Sequence, residues 1–316
     1  MLNARMPSPR TAVLIPCYNE AVTIAGVVQA FRAALPEAVL YVYDNNSTDG
    51  TAALATATGA LVRRETRQGK GAVIRRAFAD VEADIYVLVD GDGTYDATAA
   101  PEMVRMLQDQ QLDMVNGARD AAGADRAGHA IGNKILTGLV ASVFGRQVTD
   151  MLSGYRVFSR RFVKSFPALA VGFETETEFT VHALELGMPV GEIMTRYAER
   201  PAGSASKLHT IRDGIRILRT IVILVKEERP LAFFGLAALA FLLLGLGLGS
   251  EVVVEFMHTG LVPRLPTAVL ASAVILLAAL SLACGLILDS VSRGRKEMKR
   301  MAYLAVPALS YGDRPC

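Results

Sequence analysis

From Thr11 to Arg119, short β-rich apolar runs alternate with segments whose apolar residues recur at helical spacing. Ala12–Ile15, Leu40–Tyr43, Leu61–Arg64, Ile85–Val89 and Met114–Asn116 are predicted to be buried strands. Val22–Leu35, Thr51–Thr58, Ala72–Val81 and Pro101–Gln110 are the predicted helices between and after them. This alternation predicts an α/β layer structure with a mainly parallel sheet. Beyond Ala121 the pattern is less regular: Gly132–Phe144 and Thr175–Leu186 have helical spacing, and Val190–Tyr197 reads as a strand. From Leu208 to Val225 apolar residues recur at Leu208, Ile211, Ile215, Leu218 and Val222, with Arg212, Arg216 and Arg219 between them. Such a basic amphipathic helix either lies in a lipid headgroup layer or packs on the preceding domain.

Two uncharged runs follow, Pro230–Gly249 and Thr267–Leu288. Each is long enough to cross a bilayer core as a helix, which takes roughly 20 residues. Phe233–Gly247 and Ala268–Ala283 are apolar on every face, whereas a helix in a soluble core keeps a polar stripe. The connector carries Glu251 and Glu255 against Arg264, and the tail carries Arg293, Arg295, Lys296, Lys299 and Arg300. Basic residues concentrate on the cytoplasmic side, which predicts a multi-pass protein of the cytoplasmic membrane with both termini and the soluble domain inside. Met1–Arg10 has no apolar stretch of signal-peptide type. The expected organisation is a tail over 1–10, a catalytic domain over 11–207 and a juxtamembrane helix over 208–229. Spans over 230–250 and 267–288 then flank an external loop over 251–266, with a cytoplasmic tail over 289–316.

Composition narrows the partners. Thirty-three basic against 31 acidic residues leave nothing that argues for nucleic acid. Cys17, Cys284 and Cys316 are too few and too scattered for a disulfide framework or a zinc site, which suits a reducing compartment. A soluble domain joined to a membrane hairpin pairs a soluble substrate with one held in the lipid.

Polar residues gather at the carboxyl ends of the predicted strands, where ligands sit in parallel α/β sheets. They are Asn19-Glu20, Asp44-Asn45-Asn46, Asp90-Gly91-Asp92 and Gly117-Ala118-Arg119. Asp90 and Asp92, one residue apart, can reach a single Mg2+ or Mn2+, with a diphosphate completing its shell. The same triplet is also ordinary turn chemistry. Pro16-Cys17-Tyr18-Asn19-Glu20 stands where a dinucleotide fold needs its glycine fingerprint. Gly69-Lys70-Gly71 lacks the spacing of a P-loop, so Lys70 either meets a phosphate or sits in a solvated turn. Glu174, Glu176 and Glu178 either face the site or favour a helix start through its macrodipole.

Taken in order, Ile15-Pro16-Cys17-Tyr18-Asn19-Glu20, Asp44-Asn45-Asn46-Ser47-Thr48-Asp49, Gly69-Lys70-Gly71 and Asp90-Gly91-Asp92 resemble the GT-A glycosyltransferases of family 2. Asp150-Met151-Leu152-Ser153-Gly154-Tyr155-Arg156, Gly172-Phe173-Glu174 with Glu176, and Arg200 to Lys207 narrow the resemblance. They resemble the branch of dolichyl-phosphate mannose synthase and the bacterial polyprenyl-phosphate glycosyltransferases. The resemblance implies a Rossmann-like GT-A domain in which Pro16, Tyr18, Glu20, Asp44, Asn45 and Lys70 border a nucleotide sugar. It implies that Asp90 and Asp92 hold the metal at the diphosphate. Arg119, Arg156, Arg200, Ser206 and Lys207 would surround phosphates, the last three on the acceptor, and Glu176 would belong to the catalytic site. Asn45 stands where the family often has a second Asp, and Thr94 where the mannose synthases have a Gln that completes the metal shell.

The chemistry supports these roles. A cation stabilises the charge on a departing diphosphate. A lipid phosphate, with a second pKa near 6, is already a nucleophile at neutral pH. What remains is to hold two negative groups together, a task suited to arginine. Asp150 either orients the acceptor, acts as a base, or caps the following turn. The expected activity is inverting transfer of one hexose from a nucleotide-diphosphate sugar to undecaprenyl or dolichyl phosphate, by a chain that associates with membrane lipid and leaves room for a homo-oligomer. A processive polysaccharide synthase would use a Gln-x-x-Arg-Trp motif, and this chain has no tryptophan. A non-catalytic nucleotide-sugar-binding module is disfavoured by the intact Asp90, Asp92 and Arg156.

Overall fold

The computed structural model describes residues 9–120, 148–169, 174–198, 226 and 229–308. The helices predicted over Gly132–Phe144 and Leu208–Val225 lie outside the described residues. The chain divides into one unit of Met1–Ile217 with Lys299–Cys316 and a second of Leu218–Met298.

The first unit is a mixed α/β domain. Its strands are β1 (Thr11–Cys17), β2 (Val39–Asp44), β3 (Leu61–Arg64), β4 (Ile85–Leu88), β5 (Met114–Arg119), β6 (Arg156–Ser159) and β7 (Val190–Thr195). They form one sheet in the order β3-β2-β1-β4-β6-β5-β7. Every pairing is parallel except those of β6, which runs antiparallel to β4 and β5. The helices are α1 (Ile24–Ala34), α2 (Thr51–Ala57), α3 (Lys70–Asp80), α4 (Ala100–Asp109), α5 (Arg160–Ser165) and α6 (Thr175–Leu186).

Sequence explains this layering. Ala12–Ile15 in β1 and Ile85–Leu88 in β4 are buried throughout, as strands covered on both faces must be. Helix α1 buries Ile24, Val27, Val28 and Phe31, a single stripe at the helical repeat. These residues meet Val13, Ile15, Val87 and Val157 in one core. The β1–β4 ladder stops at Leu14 and Leu88, so Pro16 falls beyond it, where its missing N–H costs no bond to β4. Strand β6 was not among the predicted strands. It begins with a buried arginine and is followed directly by α5, whose cap is Ser159 accepting the Phe162 N–H.

The second unit is built on α7 (Pro230–Thr259) and most of α8 (Leu265–Leu304), both long and apolar enough to cross a membrane. Ala238, Gly245 and Val252 are buried on α7, and Ala271, Ala278, Gly285 and Ser292 on α8. That seven-residue repeat marks a coiled-coil-like seam. Small residues let the backbones approach: a Cβ on Gly245 would lie 2.6 Å from Ile275 Cγ1 and 3.2 Å from its backbone nitrogen. The segment read as the connector 251–266 is largely helical. Helix α7 continues to Thr259, Gly260 ends it at φ 68°, and α8 begins at Leu265. Arg264 pairs with Glu251 at 3.1 Å and Glu255 at 3.4 Å. The stretch read as a tail likewise begins as helix, through Leu304.

Lys299 to Leu304 belong to the first unit. The Tyr303 hydroxyl donates to Asp113 Oδ2 at 2.8 Å, and its ring lies under the Arg161 guanidinium at 4.9 Å. Lys299 Nζ reaches Glu185 at 2.7 Å.

Candidate active site

The loop after β4 carries Asp90-Gly91-Asp92, and local packing fixes its path. A Cβ on Gly91 would lie 2.5 Å from Cys17 Sγ, so the loop can pass beneath β1 only with glycine there. Gly91 O accepts the Thr23 hydroxyl at 2.7 Å. Gly93 has φ +73°, the left-handed region that disfavours other residues. Asp92 is buried, and its Oδ1 accepts the Thr94 N–H at 3.1 Å and the Thr94 hydroxyl at 2.6 Å. Thr94 therefore orients the Asp92 carboxylate.

Lys70, the first residue of α3, brings two distant carboxylates together. Its Nζ lies 2.5 Å from Asp90 Oδ1 and 2.6 Å from Glu176 Oε1, in the first turn of α6. Gly154 packs against this pair: a Cβ there would collide with Asp90 Oδ2 and lie 3.1 Å from Lys70 Nζ. Burial opposes the charge on Lys70, but Asp90 and Glu176 more than offset it and raise its pKa. Burial, then the neighbouring carboxylates of Asp92 and Glu176, push Asp90 up to about 6 against the pull of Lys70. Glu176 Oε2 is buried without a hydrogen-bond partner among the described residues.

A second cluster forms at the end of β5. Arg119 grips Asp150 bidentately, Nε to Oδ2 at 2.7 Å and Nη2 to Oδ1 at 2.8 Å. Asp150 Oδ1 also accepts the Leu152 N–H at 3.2 Å, which gives it a turn-capping contact as well. Glu192 on β7 fixes the backbone before it. Its carboxylate accepts the Thr149 N–H at 3.0 Å, the Thr149 hydroxyl at 2.7 Å and Asn116 Nδ2 at 2.7 Å. Neither Glu192 nor Asn116 was a sequence candidate. The available signal was an acidic residue inside the strand predicted over Val190–Tyr197. The Arg119 guanidinium also stacks over Tyr197 at 5.5 Å.

Two of the expected site residues are bonded to the protein's own loops. Asn45 donates to Glu65 O at 2.9 Å and Arg67 O at 2.8 Å, and accepts the Gly69 N–H at 2.8 Å. Its carboxamide thus ties down the loop before Lys70. Arg156 is wholly buried. Its guanidinium donates to Ser153 O at 3.1 Å, Met151 O at 2.7 Å and Thr180 Oγ1 at 2.9 Å, splinting the loop that carries Gly154. Burial lowers its pKa to about 10, which leaves it charged at neutral pH.

Asp44 suits a ligand better. Its Oδ2 accepts the Ser47 N–H at 3.3 Å, while Oδ1 is buried with no partner among the described residues, a costly arrangement unless something donates to it. Tyr18 is exposed just after Cys17, the last residue of β1 and the sheet partner of Asp44, and Glu20 is buried with its N–H held by Thr51 Oγ1 at 2.9 Å. Arg200, Ser206 and Lys207 lie outside the described residues.

The arrangement fits a divalent cation held jointly with a substrate. Asp90 already carries a cationic group, the Lys70 ammonium, and Asp92 is preset beside it. Among the described residues no group of three or more His, Cys, Asp or Glu side chains forms a metal cage. Two carboxylates plus phosphate oxygens is a usual shell for Mg2+.

Comparisons with known proteins bear on the family and the fold. The model for glycosyl transferase family 2 matches residues 12–166. The chain is 36% identical over 305 residues to glycosyltransferase AglJ of Haloferax volcanii, spanning 95% of this chain and 100% of that one. It is 24% identical over 213 residues to the undecaprenyl-phosphate mannosyltransferase of Micrococcus luteus, spanning 62% of this chain and 86% of that protein. The solved glucosyl-3-phosphoglycerate synthase of Mycobacterium tuberculosis, in complex with Mn2+, UDP-glucose and glycerol 3-phosphate, aligns with a TM-score of 0.55. That alignment has 23% identity and covers 69% of this chain and 79% of that one, a likeness of GT-A fold. With a relative matched over its full length and the family match running through the loops of Asp44, Asp90 and Asp150, this chain belongs to the family 2 glycosyltransferases.

Proposed function

We propose that this glycosyltransferase moves a single hexose from a UDP- or GDP-linked donor to a polyprenyl phosphate, undecaprenyl or dolichyl, at the cytoplasmic face of a membrane. The observation that carries this reading is one chain holding both the Asp90–Lys70–Glu176 cluster and two helices of membrane length. A transferase acting on a soluble acceptor needs no such hairpin. The named activity of the Micrococcus relative points the same way.

The unpartnered Asp44 oxygen would accept an N–H of the donor's base, and Lys70 would bind its diphosphate. Mg2+ or Mn2+, held by Asp90 and Asp92, would neutralise charge gathering on the departing diphosphate. An oxygen of the acceptor phosphate attacks the anomeric carbon as the bond from that carbon to the diphosphate oxygen breaks. The configuration inverts and a nucleoside diphosphate leaves. The attacking oxygen is already ionised, so no proton needs removing, and Asp150 works by orienting Arg119 rather than as a base. Arg156 and Glu192 act through backbone, by holding the loop 149–154. Arg200, Ser206 and Lys207 would supply donors to the acceptor phosphate. The product is a lipid-linked sugar of the kind used in envelope glycan synthesis or glycosylation.

The test is to incubate the purified full chain in detergent with radiolabelled UDP- and GDP-hexoses, Mn2+ and polyprenyl phosphate. Label in a lipid-linked monosaccharide is the expected result. Label in a polymer, or retained in the donor with every hexose tried, would refute it.

A further inference from the structure

Tyr95 follows the Asp90–Thr94 turn and joins the two clusters of the active site. Its hydroxyl accepts the Gly154 N–H at 2.8 Å and donates to none of the described residues. Gly154 is the residue that abuts Asp90 and Lys70. The ring is packed 5.5 Å from Tyr155 and 5.2 Å from Tyr197, the second at 72°. An antiparallel bridge joins Tyr95 to Tyr197, and the Ala198 N–H donates to Thr94 O at 2.8 Å. Tyr197 in turn lies beneath the Arg119 guanidinium. The phenol is therefore fixed between a carboxylate that would face the donor diphosphate and an arginine at the other cluster. A phenol remains protonated at working pH, so its O–H is a neutral donor.

We propose that the Tyr95 hydroxyl contacts the acceptor, donating its hydrogen bond to a non-attacking oxygen of the incoming phosphate. This rests on the lipid-phosphate reading above. Two phosphate groups must approach one another during transfer. Lys70 and the Asp90 cluster answer the charge of the first. The second needs donors that add no negative charge and lie on the Arg119 side. Tyr95 adds no negative charge, and its ring packs on Tyr197 beneath the Arg119 guanidinium while its hydroxyl sits at Gly154, between the two clusters. A tyrosine present only for packing would need its ring and not its hydroxyl.

Tyr95→Phe keeps the ring and removes the hydroxyl. The experiment pairs donor affinity by calorimetry with transfer kinetics at varied polyprenyl phosphate, on the full chain in detergent. The expected result is an acceptor KM raised about tenfold or more, the scale of a hydrogen bond to a charged group, with donor Kd unchanged. An unchanged donor Kd also reports that the Gly154 loop has kept its place. Acceptor kinetics equal to the unaltered chain, or a loss confined to donor affinity, overturns the assignment. If the unaltered chain fails to glycosylate polyprenyl phosphate, the lipid-phosphate reading falls and this inference with it. If it succeeds and Tyr95→Phe matches it, only the inference falls.

Discussion

Lys70 and Asp90 form an ion pair, Nζ to Oδ1 at 2.5 Å, in which the lysine also reaches Glu176. The lysine is the first residue of α3, and the Asn45 carboxamide holds the loop that delivers it. One ammonium thus balances two carboxylates with little water around it. Removing it leaves them facing each other uncompensated. Breaking a buried charge pair from one side costs about 3–5 kcal/mol. Lys70→Met is expected to lower thermal stability and to reduce turnover by at least about 100-fold. A variant that keeps its melting temperature and its activity would remove Lys70 from the centre of the site.

Asp92 is expected to matter through charge and not through fold. Its buried carboxylate accepts two bonds from Thr94, and an asparagine oxygen can accept the same two. Asp92→Asn should fold as the unaltered chain does and lose roughly 100-fold or more in kcat, since a metal supplies several kcal/mol to the transition state. EDTA should abolish activity and added Mn2+ or Mg2+ restore it. Full activity in EDTA contradicts the metal assignment.

Much of the fold was legible because parallel strands buried on both faces leave unbroken apolar runs, as in Ala12–Ile15 of β1 and Ile85–Leu88 of β4. The site was legible because parallel sheets bring their loops to one edge, which gathered Asp44, Asp90 and Arg119. Three things were hidden. Strand β6 opens with Arg156, and its burial depends on carbonyls of a loop that sequence does not reveal. Charge at Glu251 and Glu255 marked the end of the apolar run but not of the helix, since hydropathy reports on lipid and not on backbone hydrogen bonds. The role of Asn45 depends on Gly69 and on the carbonyls of Glu65 and Arg67 meeting it in space.

Glu192 should behave as a positioning residue. It accepts from Asn116 and from the backbone and hydroxyl of Thr149, next to Asp150. Glu192→Ala leaves those donors unsatisfied, at about 1–3 kcal/mol each where buried. The expected outcome is a fall in kcat of roughly tenfold to 100-fold with donor Kd little changed. Glu192→Gln, which keeps an accepting oxygen, should recover most of the loss. Equal damage from both substitutions would mean that its charge is needed for something else.

His182 supplies a pH dependence of stability. It is buried between Phe162 and Phe166, its Nε2 is 3.0 Å from Ser165 Oγ, and its Nδ1 has no partner among the described residues. Burial, and then the charge of Lys299, pushes its pKa down to about 3, against about 6.5 in an unfolded chain. The folded chain therefore holds one proton fewer between these values. Stability from this site is complete above about pH 6.5 and falls as pH drops toward 3, by at most about 1.4 kcal/mol per pH unit. His182→Gln should flatten the thermal stability profile below pH 6.5. An identical profile in that variant would place the acid sensitivity elsewhere.

The central claim is single-hexose transfer to a lipid phosphate, and the product's mass tests it most directly. The full chain is placed in vesicles containing polyprenyl phosphate, supplied with nucleotide-linked hexose and Mn2+, and the extracted lipid is analysed by mass spectrometry. The expected result is one new species, polyprenyl phosphate carrying a single hexose, formed in step with released nucleoside diphosphate and lost in Asp92→Asn. A ladder of species carrying successive hexoses, or released nucleoside diphosphate with the lipid unchanged, would contradict it.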